Sequence, residues 1–286
     1  MIMGAEEAAP CRHAGAPPSA VVSSVSRLIT DLASEESLLG RYGLTAQEYR
    51  EALPAAIEGI RGSMSASVGD RRHFLATIFE GMVESGHITA LEKPTYGKDT
   101  VYRLTISGYG DIAVIQKGCP DGAHSSVRWT VPDWAKETYL WWLCDSMTYE
   151  PGEHVSKGVN RLRQRFFGDT PGTVDGVIFH NHLCGRGQRP CPKAANSAVF
   201  GGIKTPPPCI YVMPDREPHT EASADEWNWN GTQQRFFPTV LLGAFGIPAE
   251  KAPAFTGHIG FQRRAGALRT TITSRYGGIR VTTSRS

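Results

Sequence analysis

The sequence predicts an α+β fold in two parts, and three observations carry the prediction. Between Ser23 and Ile106, three stretches with apolar residues at helical spacing precede two short runs of strand-forming residues. Beyond Gly108, short apolar runs bounded by Gly and Pro recur, the pattern of a mixed α/β sheet with helices packed on it. The 286 residues include 31 Gly and 19 Pro, a turn content that long helical bundles do not need. The length is about twice that of a usual single domain. The expected division is therefore a leader over 1–20, a first domain over 21–108 and a second over 109–286.

The leader is rich in Ala, Gly and Pro and has no apolar period, which predicts disorder. Val25, Leu28, Ile29 and Leu32 then recur at helical spacing. Thr45 and Glu48 make a capping box, in which each residue satisfies a free backbone donor of the other, and announce a second helix. Its core face would hold Tyr49, Leu53, Ile57 and Ile60, with Pro54 bending it by removing an amide donor. A third helix is capped by Asp70 and runs to about Ser85. It buries Phe74, Leu75, Ile78, Phe79 and Met82, and Gly86 is placed to stop it. Two strands follow, Ile88 to Lys93 and Thr100 to Ile106, joined by the turn-forming residues 94–99 into a hairpin with a basic, aromatic tip.

The run Met82-Val83-Glu84-Ser85-Gly86-His87-Ile88, followed by Val101-Tyr102-Arg103-Leu104-Thr105 and Gly108, resembles the end of the last helix and the wing of winged-helix DNA-binding domains. The resemblance covers Ser23 to Gly108 and implies an N-terminal winged helix-turn-helix. It implies that the helix from Arg71 faces the major groove of double-stranded DNA, while the hairpin meets phosphate or the minor groove. Arg71, Arg72, His73, Thr77 and Lys98 are then the contacts.

In the second part, Ile112-Ala113-Val114-Ile115 makes Gly110 to Lys117 a buried strand. Trp134 to Met147 is apolar on nearly every side and reads as a buried helix. Glu137 shares a face of it with Trp134, Leu140, Trp141 and Cys144 and requires a partner such as Arg, Lys or a metal ion. A helix over His154 to Phe167 would place Lys157, Arg161 and Arg165 on one stripe, either a solvated surface or a seat for a phosphate backbone. Strands are expected at Gly176 to Phe179, Cys209 to Met213, His258 to Gln262 and Leu268 to Thr273, with a helix near Pro238 to Phe245. The turn-rich segments 181–208 and 214–234 exceed ordinary connection length, which marks binding or functional loops.

A net charge of +2 hides an uneven distribution. From Gln262 to Ser286 there are six arginines, Arg263 and Arg264 first among them, and no Asp or Glu, a composition that suits a polyanion. Six cysteines are too sparse for a disulfide scaffold, and reduced thiols are expected. No stretch approaches the roughly 18 to 20 apolar residues that cross a bilayer, and the start lacks the features of an export signal. No membrane association and a cytoplasmic location are the expectations. Neither a phosphate-cradling loop nor a dinucleotide fingerprint occurs, which argues against a nucleotide-driven motor and a nicotinamide enzyme.

A DNA-reading part joined to an α/β block with basic rims is similar in layout to type II restriction endonucleases, in which carboxylates and a lysine gather at the edge of a central sheet. That similarity implies a nuclease-like second domain, a homodimer on a symmetric site, and a divalent ion, Mg2+, that activates water. Asp111, Lys117, Glu137 and Asp175 are the candidate catalytic set, with Asp111 and Glu137 as Mg2+ ligands. The chain departs from the acidic-x-lysine signature, because Ile115 stands where the acid would precede Lys117. The competing reading is a transcription regulator whose second domain binds a ligand or dimerises. His180, His182, Cys184 and Cys191 are of zinc-ligating types, so a Zn2+ knot is a second candidate, against a loop held by ordinary hydrogen bonds. Six residues separate the two cysteines, wider than in the common zinc modules.

Overall fold

The computed structural model of the chain describes residues 19–53, 56, 68–95, 101–118, 129–143, 174–180, 191–214, 234–264, 267–276 and 279–285. Four helical segments come first: α1 (Ser19–Leu32), α2 (Glu36–Arg41), α3 (46–53) and α4 (Val68–Glu84). The capping box forms as the sequence expects. The Thr45 N–H donates to Glu48 Oε2 at 2.8 Å and the Glu48 N–H to Thr45 Oγ1 at 3.2 Å; the Thr45 N–H first, then the Thr45 hydroxyl that donates to the same oxygen at 2.8 Å, holds the Glu48 carboxyl below its ordinary pKa. Helix α4 buries Phe74, Leu75, Ile78, Phe79 and Met82. It stops where Gly86 takes φ +73° and the His87 N–H returns to the Met82 carbonyl at 2.9 Å.

Nine strands make one mixed sheet in the order β1 (Ala90–Glu92), β2 (Val101–Ile106), β3 (Gly110–Gly118), β4 (Glu137–Leu143), β5 (Gly176–His180), β8 (Cys209–Val212), β9 (Thr256–Arg264), β10 (Ala267–Tyr276) and β11 (Ile279–Arg285). β3, β4 and β5 are mutually parallel, as are β8 and β9; every other pairing in this sheet is antiparallel. A separate antiparallel pair, β6 (Ala198–Phe200) and β7 (Ile203–Thr205), lies against α4. Helix α5 (Phe236–Ala244) and two short 3-10 turns, Pro192–Asn196 and Ala249–Ala254, complete the elements.

The central strands are covered on both faces. On one, Val114, Tyr139, Trp141 and Ile178 pack with α4, α5 and Phe200. On the other, Ile115, Leu140, Trp142, Phe179, Tyr211, Ile259 and Ile272 form a second cluster. This coverage corrects the expectation for Trp134 to Met147. Its apolar core is strand β4, all seven residues buried, because a strand buried on both faces is as uniformly apolar as a buried helix. The aromatic and β-branched residues Thr138, Tyr139, Trp141 and Trp142 suit the pleat better than a helical turn.

The boundary expected between 108 and 109 falls within the tight turn joining β2 to β3, which pair from Val101↔Ile115 to Ile106↔Gly110. The β1–β2 hairpin is thus the margin of the large sheet, with Tyr102 and Leu104 at most 1% exposed. The strands β6, β7 and β11 and the short helix α2 are additions to the expected set. The expected helix His154 to Phe167, most of the hairpin tip, and residues 181–190 and 215–233 of the two long loops lie outside the described residues. No helix among the described residues is long and apolar enough to cross a membrane.

Candidate functional site

Parallel strands sort the candidate residues by the end of the sheet at which they stand. Asp111 opens β3 and Lys117 nearly closes it. Six residues of strand rise separate them by about 20 Å. Glu137 pairs with Ile112 and Asp175 directly precedes β5, so both stand at the Asp111 end. Lys117, opposite Trp142, stands at the other. The four residues do not form one site.

The end holding the three acids is a closed structural network. In the β2–β3 turn, Gly108 takes φ +71°, and the following Tyr109 stacks on Phe236 with ring centroids 4.2 Å apart. The Tyr109 hydroxyl donates to Glu137 Oε1. The Tyr139 hydroxyl donates to Oε2 at 2.7 Å. At the start of α5, the Phe236 and Phe237 N–H groups donate to the same carboxylate at 3.0 and 3.1 Å. Glu137, 4% exposed, therefore accepts four hydrogen bonds and neutralises the positive end of a helix. Burial, above all, with the Glu137 carboxylate adding to it, pushes the pKa of both tyrosines upward.

Asp111 accepts from Arg103 Nε at 3.0 Å and Thr105 Oγ1 at 2.7 Å. Arg103 first, then Thr105, holds its carboxyl below the usual range. By the strand alternation Asp111 shares a sheet face with Ile115, and Glu137 shares the opposite face with Tyr139. The two carboxylates thus stand on opposite faces of the sheet, each held by protein donors. Asp175 accepts the Thr138 N–H at 2.7 Å and lies 3.4 Å from Arg235 Nη1.

The opposite end, beyond the carboxyl ends of β3, β4 and β5, is where open α/β sheets bind ligands. Here Gln116, 5% exposed, presents Oε1 to the Tyr102 hydroxyl at 3.3 Å. The same hydroxyl lies 3.2 Å from the Arg72 carbonyl on α4. Burial raises the Tyr102 pKa to about 12, with Arg72 opposing and Glu80 adding to the shift. His180 closes β5 between Phe74 and Trp141, at centroid distances of 5.1 and 5.9 Å, with Nε2 2.9 Å from the Pro206 carbonyl. Gln116 carried a signal readable in the sequence. It is a polar residue on the same strand parity as the buried Ile112 and Val114.

His180 packs with the first core cluster and Cys191 belongs to the second, on the other side of the sheet. The other two residues of the expected zinc set, His182 and Cys184, lie outside the described residues. Cys209, near Cys191 in that cluster, takes a hydrogen bond from Lys193 Nζ at 3.2 Å. Among the described residues no three His, Cys, Asp or Glu gather as a metal site.

Of the expected DNA contacts, His73 is exposed and Arg72 half-buried on α4, and Arg71 is on the same first turns. Thr77 is half-buried on the same helix. Its hydroxyl donates to the His73 carbonyl at 2.8 Å, and its methyl lies close to Gly201 in the β6–β7 turn. Lys98, Lys157, Arg161 and Arg165 lie outside the described residues, and Arg263 and Arg264 end β9.

These features define an α+β protein built on a mixed nine-stranded sheet. Comparison with protein-family models, with curated proteins and with solved structures gives no match to this chain.

Proposed function

We propose that this protein binds double-stranded DNA. The observation that carries the reading is the placement of the stretch 262–286, with six arginines and no acid: its strands are paired members of the main sheet, β10 between β9 and β11 over seven residue pairs on each side. Cations fixed on a sheet lose less freedom on meeting phosphate than cations on a loose chain, and cations displace condensed counterions from a duplex. The resemblance of residues 23–108 to winged-helix domains adds Arg71, Arg72 and His73 on α4 to the same partner. The test is fluorescence anisotropy with labelled duplexes over a salt series. Log affinity falling linearly with log salt is the expected result; absence of salt-sensitive binding to any duplex overturns the reading.

A second reading, cleavage of that DNA as in type II endonucleases, is favoured by one observation. Gln116, Lys117 and His180 stand at the carboxyl end of the parallel strands, the end at which such sheets act on ligands. Its centre is then at Lys117 and not at Asp111 and Glu137. Plasmid incubated with Mg2+ should yield discrete fragments, and Lys117→Ala should bind without cutting. Shifted but uncut DNA leaves the binding reading standing and removes this one, the result a transcription regulator would give.

A further inference from the structure

The second core carries a group of reactive side chains that neither reading of function uses. Cys191, Lys193 and Cys209 are 5%, 3% and 6% exposed, and both cysteines are free thiols. Local sequence sets where they stand. Pro192 opens the 3-10 turn Pro192–Asn196, with Cys191 just before it and Lys193 inside it. Cys209 opens β8 directly after three prolines, which donate no ladder hydrogen bonds. β8 runs antiparallel to β5 with Cys209 opposite Phe179, so the thiol stands at the carboxyl end of the parallel strands. Lys193 Nζ donates to Cys209 Sγ at 3.2 Å. Lysine is rarely buried, because its stem lets the nitrogen reach water from most positions. Here the nitrogen is held against a sulfur inside the core.

We propose that Cys209 and Lys193 are a modification site, an oxidative S–N crosslink formed when a hydroperoxide reaches the thiol and stapling the Pro192–Asn196 turn to β8. The thiolate sulfur attacks one oxygen of hydrogen peroxide, the O–O bond breaks, and the hydroxide that leaves becomes water with the proton of the thiol. Sulfur is oxidised to a sulfenic acid and the peroxide is reduced. The lone pair of the neutral Lys193 amine then forms the N–S bond, the S–O bond breaks, and the departing hydroxide takes a proton from nitrogen as a second water. Each crosslink consumes one peroxide and leaves the chain two hydrogen atoms lighter. Condensation of a sulfenic acid with a nitrogen is a known fate of that species. What selects it here is proximity, since two groups packed within contact distance react as parts of one molecule. Cys209 keeps 6% exposure where Val177 and Met213 of the same cluster keep none. It therefore lies at the rim of that core, within reach of a reagent little larger than water. Thiols reverse the bond: one thiolate takes the sulfur and releases the amine, and a second frees Cys209 as the reagent disulfide forms. The crosslink spans a separation of 16 residues, so it removes loop freedom from the unfolded chain.

The test uses the full-length protein, reduced, freed of reductant and exposed to limited hydrogen peroxide. It is then unfolded in iodoacetamide, digested and sequenced by tandem mass spectrometry. The expected product is a peptide pair joined through Lys193 and Cys209, lighter by two hydrogens than its parts and separated by thiol. Lys193→Arg keeps the cation without a nucleophilic amine. It should lose the crosslink and let dimedone trap the sulfenic acid at Cys209, whereas Cys191→Ser should keep the crosslink. If Lys193→Arg fails to fold by circular dichroism, the peptides of the unaltered chain decide alone. A disulfide between Cys191 and Cys209 in place of the crosslink overturns the proposal. So does a sulfinic acid at Cys209 beside a free Lys193 amine, and so does Cys209 fully alkylated after the peroxide. The crosslinked protein should melt at a higher temperature than the reduced one; an equal or lower melting temperature overturns the stapling role.

Discussion

Glu137 joins three elements through one carboxylate: β4 on which it stands, the β2–β3 turn through Tyr109, and the first turn of α5 through two backbone N–H groups. The two backbone donors cannot rotate away, so the position demands an acceptor on both oxygens. Glu137→Gln keeps the shape but turns one acceptor into a donor facing donors. The expected loss is about 2 to 4 kcal/mol, read from the denaturant midpoint at constant m-value; a loss under about 1 kcal/mol would show that the network tolerates rearrangement. The tyrosines around the sheet give a second prediction. Burial raises Tyr102 to about 12 and moves Tyr109 and Tyr139 in the same direction. Each keeps its proton in the folded state at a pH where the unfolded chain, with tyrosine near 10, has lost it. The folded state then binds more protons, so this contribution to stability is whole below pH about 10 and falls as pH rises through about 12. Denaturant midpoints measured across that window should drop steadily, and a flat profile would contradict the burial of these hydroxyls.

Among the elements, what could be read from the sequence depended on how much of the signal was local. The capping box at Thr45 and Glu48, the stop at Gly86, and the strands at Gly110, Gly176, Cys209, His258 and Leu268 were legible, since turn residues and alternation are fixed within a few positions. β4 was not. Its apolar residues face both ways because α4 and α5 cover one side and the second cluster the other, and neither neighbour is visible from within the strand. β11 was hidden by a different cause: Arg280, Thr282 and Ser284 alternate with Ile279 and Val281 so mildly that the strand reads as a polar tail until β10 is beside it. The candidate site was legible as residue types and misread as geometry. Asp111 and Lys117 were correctly put on one strand, but a strand of six intervening steps separates its ends by about 20 Å. Glu137 did need partners, as its apolar surroundings implied, and found them in hydroxyl and amide donors.

For the molecule as a whole, the last three strands wall the second core, and their sequence carries the six arginines on which the DNA-binding proposal rests. Ile259, Phe261 and Ile272 close that core against Tyr211 and Phe179, and β10 is hydrogen-bonded on both sides. The two duties can be separated by truncation. A chain ending at residue 278 loses β11 and with it Arg280 and Arg285, while Ile272 and the β9–β10 pairing remain. It should stay soluble, melt at a lower temperature and bind duplex with a smaller salt slope. A chain ending at Arg264 also loses Ile272 and leaves β9 as a bare edge beside an uncovered apolar face, the arrangement that invites strand-to-strand aggregation. It should scatter light or pellet under conditions in which the longer chain remains clear. Solubility and an unchanged melting temperature for the shorter chain would mean that the ribbon contributes nothing to the core. The two functions would then have to be assigned to different parts of the sheet.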